Sequence, residues 1–306
     1  MKINSVLLAG AGAIGLSVAQ TIYKSEPSSI SILAKGERLE RYRKNGLWVN
    51  GEKLDFRLTE GEKADLIIIA CKFYHLDQII EDIRACVDKN TVILSLLNGI
   101  SSEEIIGRRL GRERPPLAMI IGTDAFHKGE ETTYTRKGTI HFGDTDGKNG
   151  EREDAIAEFF TRIGVEFILE PNMKRKLWYK FMINVSLNQV TAVLRLPYGA
   201  IQNKGGSCEI PEARILAEKT MREVIAVANA EGIDLNESDI GSSLDATNLL
   251  SSEGFTSMCQ DVLAGRKTEL EMFSPVVMEM AQKHGISVPL NEALYLQLRT
   301  IERRQH

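Results

Sequence analysis

Ser5-Val6-Leu7-Leu8-Ala9-Gly10-Ala11-Gly12-Ala13-Ile14-Gly15, close to the N-terminus, decides how the first half of the chain is read. Ser5–Ala9 is a short apolar run of the kind buried on both faces of a parallel sheet. It runs directly into Gly-x-Gly-x-x-Gly, after which Gly15–Lys24 has helical character. In that setting Gly10 makes the tight turn, Gly12 lets a pyrophosphate approach the backbone, and Gly15 allows the helix to pack closely on the strand. The helix N-terminus adds unsatisfied N–H groups and partial positive charge. Gly10, Ala11, Gly12, Ala13, Ile14 and Gly15 are therefore read as a dinucleotide-binding turn, against the plainer reading of a glycine turn without ligand. The same glycines argue against a secretory leader, which Lys2 and the apolar stretch to Ala19 otherwise imitate. No apolar run approaches the ~20 residues of a bilayer-spanning helix. A cytoplasmic protein is expected.

Outward from this turn, short apolar runs alternate with helical patterns, the signature of a doubly wound parallel α/β sheet. Strands are expected at Ser31–Ala34, Ala64–Ala70, Thr91–Leu96, Leu117–Ile121 and Glu166–Leu169, with helices near 76–85 and 152–163. Asn50-Gly51 between Leu47–Val49 and Leu54–Leu58 predicts a type I′ hairpin. Lys137-Gly138 predicts a second hairpin between Thr132–Arg136 and Thr139–Phe142. Ser101 and Glu104 have capping-box spacing ahead of a short helix. From Asn172 onward only helical periodicity is found, over 172–194, 209–231, 236–249, 255–264, 268–284 and 289–304. The expected organisation is a Rossmann-type domain over 1–171 and an all-α domain over 172–306, divided at Pro171-Asn172.

Composition excludes several function classes. Of 306 residues, 38 are Lys or Arg and 42 are Asp or Glu, for a formal charge of −4, so no basic excess exists to neutralise nucleic acid. Cys71, Cys86, Cys208 and Cys259 are scattered without a Cys-x-x-Cys pair, which fits a reduced protein with no structural zinc. No metal site, nucleic-acid partner or membrane partner is expected.

The cofactor's identity turns on the end of the second strand, which reads Ala34-Lys35-Gly36-Glu37-Arg38. An NAD site needs an acid there for the ribose 2′-hydroxyl. Lys35 occupies that position and Arg38 follows within a turn, a pair suited to a 2′-phosphate, so NADP is expected. Glu37 as a ribose ligand is the rival reading.

In the helical half, Lys176, Lys180, Asn184 and Asn188 recur at steps of four. Each step rotates only ~40° on an α-helix, so they form one polar ridge. A lysine in such a semi-buried setting can act as an acid; the bland alternative is a solvent-facing stripe. Thr268 and Glu271 have capping-box spacing, which leaves Glu269 without a structural task. Ser257 is read as a helix cap or an anion ligand, and Asn98-Gly99 lies at a strand's carboxyl end, where open α/β sheets bind ligands.

These segments together resemble the ketopantoate reductase (2-dehydropantoate 2-reductase) family from Ile3 to about Arg303. The resemblance rests on residues 10–15, Cys71-Lys72, Leu97-Asn98-Gly99, Leu177-Trp178-Tyr179-Lys180, Asn184, Asn188-Gln189-Val190-Thr191-Ala192, Thr256-Ser257-Met258 and Lys267-Thr268-Glu269. It implies a Rossmann domain followed by a helical domain, with the active site in the cleft between them. It implies NADPH-dependent reduction of 2-dehydropantoate to (R)-pantoate, a step toward pantothenate and coenzyme A. By the same resemblance Lys180 is the proton donor with Glu269 as its partner. Asn184, Asn188, Ser257 and Asn98 become substrate ligands, Asn98 also lies near the nicotinamide, and Lys72 contacts the cofactor. The chain departs from the family in having lysine at 35 where arginine is common and Gln189 where proline often follows the second amide. It departs again over Gly122–His127, where Asp124 and His127 raise the alternative of another 2-oxo acid or an imine as substrate. A non-catalytic NADP sensor is the rival of another class, and it gives Lys180 and Glu269 no purpose. The apolar helical half is read as a candidate homodimer surface.

Overall fold

In the computed structural model, which describes residues 1–145 and 147–305, the N-terminal apolar run is strand β1 (Val6–Ala9), buried throughout. The chain continues through α1 (Ala13–Ser25), β2 (Ile30–Leu33), α2 (Gly36–Asn45), β3 (Leu47–Val49), β4 (Glu52–Leu54) and β5 (Arg57–Thr59). Then follow β6 (Leu66–Ile69), α3 (Leu76–Ile83), β7 (Val92–Ser95) and α4 (Ser102–Leu110). The main sheet has the order β5-β2-β1-β6-β7, and each neighbouring pair in it is parallel. β2, β6 and β7 are buried residue by residue, as β1 is. That is the expected state of a parallel sheet covered on both faces. Because β2 and β6 flank β1, the connections diverge at β1, the switch point at which a doubly wound sheet opens a crevice beyond its carboxyl ends. This is the expected Rossmann-type arrangement.

The rest of the unit comprises β8 (Leu117–Ile121), β9 (Asp124–Lys128), β10 (Glu131–Arg136), β11 (Thr139–Gly143), α5 (Glu151–Ile163) and β12 (Phe167–Leu169). These strands build two further sheets, β4-β3-β10-β9 and β12-β11-β8. The hairpin expected over 132–142 is absent. β10 pairs antiparallel with β9 instead, and β11 pairs with β8 and β12. Gly138, at φ +78°, approaches the chain so closely that a Cβ would lie 2.6 Å from the Ile121 carbonyl oxygen. Lys137-Gly138 is thus where the chain passes from one sheet to another. The first hairpin does form: Asn50 and Gly51 have φ of 49° and 75°, the positive pair that a type I′ turn requires. Its second strand stops at Leu54, and β5 leaves to join β2 in the main sheet. The Ser101–Glu104 capping box does not form either. Among the described residues the Ser101 hydroxyl is buried without a partner, while Ser102 bonds Ser95 and Glu103 at 2.9 Å each. α2 was not legible in the sequence, because its apolar positions, Leu39 and Tyr42, are too few to mark a period.

Contacts divide the chain into two units, Met1–Lys174 and Arg175–His306. The second part of the chain is helical: α6 (Met173–Ile183), a π-helical turn (Asn184–Asn188), α7 (Gln189–Leu194), α8 (Pro211–Ala230), α9 (Glu237–Asn248), α10 (Ser257–Leu263), α11 (Ser274–His284) and α12 (Pro289–Gln305). Among the described residues from 173 onward there is no strand. Five of these correspond to single expected helices, while the expected 172–194 helix is divided by the π turn. The Thr268–Glu271 capping box is a further correction. The Thr268 hydroxyl donates to Glu302 at 2.6 Å, Glu271 pairs with Arg299 at 3.5 Å, and α11 starts only at Ser274.

A Cβ at Gly15 would lie 2.0 Å from the Gly10 carbonyl oxygen, which is backbone and cannot swing aside. Gly15→Ala should therefore destabilise the fold by ~1–3 kcal/mol, the range for overpacking. Gly12→Ala, with nothing within 4 Å of the new atom, should leave stability nearly unchanged. Equal unfolding midpoints in urea for Gly15→Ala and the wild type would contradict this packing.

Candidate active site

The glycine turn separates into positions that packing explains and one that it does not. Gly10 has φ +115°, and a Cβ there would lie 2.5 Å from the Ala70 carbonyl oxygen at the end of β6. Gly10 and Gly15 are accounted for by backbone approach alone. Gly12 faces open space and is the N-cap of α1, with no side-chain cap and no acidic residue in the first turn. The orphan N–H groups of that turn are therefore left for an outside acceptor, and a bare backbone with a positive helix end fits a pyrophosphate.

Other polar groups collect at the carboxyl ends of the same strands. After β2, Lys35 is the exposed N-cap of α2. Its ammonium lies 3.3 Å from the Asp82 carboxylate and donates to the Asp82 carbonyl at 3.2 Å. Arg38, half-buried in the first turn of α2, has no ion pair among the described residues. After β6, half-buried Lys72 caps a single 3-10 turn, Phe73–His75. Asn98 follows β7 and is also half-buried.

In the helical unit, α6 carries Lys180, half-buried as a residue with its ammonium enclosed by protein. Burial disfavours the cation and lowers its pKa to about 8, while the negative charge of Glu269 acts in the opposite direction. Glu269 is itself buried, at the start of a 3-10 turn, Leu270–Met272. The residue before it is anchored, because both the N–H and the hydroxyl of Thr268 donate to Glu302. Asn184 is half-buried and Asn188 only 7% exposed. Among the described residues neither side-chain amide has a hydrogen-bond partner. A buried amide without partners is costly, so such capacity beside a lysine marks a place for a polar ligand. Ser257 begins α10 and is exposed. The cap itself is Thr256, which accepts from the Cys259 N–H at 3.3 Å and bonds Thr191 at 2.8 Å. The Ser257 hydroxyl is thereby released from capping.

Three comparisons bear on these features. The family model described as ketopantoate reductase PanE/ApbA matches residues 6–147, and its C-terminal counterpart matches residues 172–302. The chain belongs to the ketopantoate reductase family. It is 28% identical over 297 residues to the 2-dehydropantoate 2-reductase of Pyrococcus horikoshii, covering 95% of each chain. Against the crystal structure of 2-dehydropantoate 2-reductase from Geobacter metallireducens, it is 25% identical with a TM-score of 0.82, over 97% of this chain and 99% of that one. The D-mandelate dehydrogenase complex with NADH shares the fold, with a TM-score of 0.85 at 21% identity over 99% of this chain and all of that one. Ketopantoate reductases are oxidoreductases.

In this chain Asp124 and His127 lie on β9 and are spent inside its sheet. Asp124 accepts from the Thr135 hydroxyl, and His127 Nδ1 bonds Thr132 Oγ1 at 2.8 Å across the strand pair. Among the described residues no group of three or more His, Cys, Asp or Glu could hold a metal. No described helix is long and apolar enough to cross a membrane.

The opposed effects of burial and Glu269 are open to direct titration. Lys180, followed by NMR of labelled lysine, should titrate near the pKa of about 8 that burial imposes. Glu269→Gln should lower that value further, because it withdraws the neighbour that favours the cation. An unchanged titration in Glu269→Gln would mean that the two charges do not interact.

Proposed function

We propose that this chain is an NADPH-dependent 2-dehydropantoate 2-reductase, forming (R)-pantoate on the route to pantothenate and coenzyme A. One observation carries the reading: a lysine whose pKa is lowered to about 8 is coupled to a buried glutamate and shares its ridge with two amides that have unused hydrogen bonds. Residues 1–171 are assigned to the cofactor and 172–306 to substrate and catalysis. The glycine turn, Lys72 and Asn98 serve the cofactor in this reading, with Asn98 also reaching substrate.

The choice of NADPH is supported by Lys35 and Arg38 after β2, where an NAD site would carry an acid. Arg38 is assigned the larger share, because Lys35 already has Asp82 as a partner.

When bound, NADPH supplies the hydride that reduces the C2 carbonyl carbon. Lys180 Nζ hydrogen-bonds the C2 oxygen, opposes the negative charge that develops there and delivers the proton that completes the alcohol. A pKa near 8 keeps Lys180 protonated at neutral pH yet makes it a far better acid than a solvated lysine. Glu269 stops the pKa from falling further. Asn184, Asn188 and Ser257 hold the substrate's polar groups through hydrogen bonds that the free protein leaves unmade. Assays of NADPH oxidation against a panel of 2-oxo acids test the reading. Preference for unbranched acids over 2-dehydropantoate would reject the named substrate and leave the reaction class standing.

Arg38→Glu should weaken NADPH at least ~10-fold relative to NADH, the equivalent of one charge-assisted contact. Lys35→Asp should act in the same direction but less, and equal loss of both cofactors would place the adenosine end elsewhere. Lys180→Ala should lower kcat ~10²–10⁴-fold, the range for a positioned general acid, whereas Lys176→Ala should leave it near the wild-type value. In the wild type, kcat should fall as pH rises through about 8, where Lys180 loses its proton. Glu269→Ala should move that limb to lower pH.

A further inference from the structure

The ridge is not carried by a plain α-helix. Asn184–Asn188 forms a π turn between α6 and α7, a rare widening that recurs at functional sites. Each four-residue step along an α-helix rotates ~40°, so two steps from Lys180 would carry Asn188 ~80° off the ridge. A turn closed by i→i+5 bonds holds more residues and rotates less per residue. It therefore swings Asn188 back toward Lys180.

Widening a turn disturbs the hydrogen-bond ladder, and the chain repairs the disturbance with one side chain. The N–H of Gln189, which an α-helix would direct at Val185, bonds the Ser186 carbonyl instead. The Val185 carbonyl is taken by Gln189's own side chain, with Nε2 donating at 2.6 Å. Gln189 Oε1 accepts from the Ser274 hydroxyl at 2.8 Å, and that hydroxyl lies 3.1 Å from Asn291 Oδ1. Asn291 in turn donates its N–H and its amide to Glu223 at 3.0 and 2.8 Å. Gln189, Ser274 and Asn291 are each 0% exposed. One line of polar contacts thus ties the π turn through α11 and α12 to α8, inside otherwise apolar packing.

We infer that Gln189 is a positioning residue for the reductase: it holds the π turn open and so sets Asn184 and Asn188, which border that turn, against Lys180. The inference rests on the reading of those amides as substrate ligands. Gln189 itself is spent on protein atoms and touches neither substrate nor cofactor. Its loss acts on substrate affinity through the turn and leaves cofactor affinity alone.

Gln189→Met keeps length and approximate volume while removing both hydrogen bonds, and Ser274→Ala removes only the outer one. The 2-oxo acid that the wild type reduces best should show KM raised ~10-fold in Gln189→Met, about the worth of one substrate hydrogen bond. Ser274→Ala should raise it less, with the NADPH Kd unchanged in both. Amide hydrogen exchange over 184–190 should quicken in both variants while the middle of α8 keeps its protection. A purely structural glutamine would lower Tm without moving KM, and unchanged KM in folded variants overturns the inference. If Gln189→Met does not fold, Ser274→Ala decides by the same readouts. A wild type inactive on every 2-oxo acid would defeat the proposed function, and exchange over 184–190 would still decide whether Gln189 holds the turn.

Discussion

No side-chain atom fits between Gly15 and the carbonyl oxygen of Gly10, where a Cβ would sit at 2.0 Å. That contact lets α1 settle directly onto the turn that leaves β1. Gly10 makes a comparable approach to Ala70 at the end of β6, so the turn is clamped between its own helix and the neighbouring strand. With β2 on the other side of β1, the carboxyl ends of three parallel strands are brought together around one bare stretch of backbone. Gly12 is left uncovered, with the N-terminal N–H groups of α1 beside it. The crevice of the N-terminal unit is a consequence of two missing methyl groups.

The helical unit is organised by a different constraint, the cost of leaving polar groups unpaired away from water. Most of its buried polar residues meet that constraint fully. Thr191 bonds Thr256, Thr268 is held by Glu302, Gln202 donates to the Thr247 and Leu250 carbonyls, and Gln189 bridges Val185 and Ser274. On the Lys180 ridge Asn184 and Asn188 depart from the pattern. A cation is enclosed and its pKa depressed, and two amides have no protein partner among the described residues. Amide hydrogen bonds left unmade in this way cost stability unless a polar ligand fills them.

The elements least legible in the sequence were those that depend on a distant partner. β9 reads locally as a polar loop, since Asp124-Ala125-Phe126-His127-Lys128 alternates only weakly; it is a strand because β10 folds back on it. β5 looks like the far end of a hairpin arm until the edge of β2 claims it. Both capping boxes had correct spacing, yet the Ser101 hydroxyl is left without a partner among the described residues and the Thr268 hydroxyl is taken by Glu302, which no local pattern indicates. The glutamine at 189 looked like a departure from the family pattern, and its task became visible only with Ser274 and the π turn in place.

Where the governing physics is local, the sequence alone was sufficient. Buried parallel strands are written as continuous apolar runs, the Gly-x-Gly-x-x-Gly turn declares its own backbone geometry, and Asn-Gly encodes a type I′ turn through positive φ at both residues. The parallel character of the N-terminal sheet and the helical character after residue 172 follow from such signals. Tertiary structure decided which polar groups are spent and which remain unspent. Lys35 and Arg38 look equivalent in sequence, but only Lys35 is met by Asp82 from α3. Burial lowers the pKa of Lys180, and Glu269, nearly ninety positions away in sequence, acts against that fall. Hydrogen bonding and desolvation depend on what surrounds a group in three dimensions, and spacing along the chain carries no record of that.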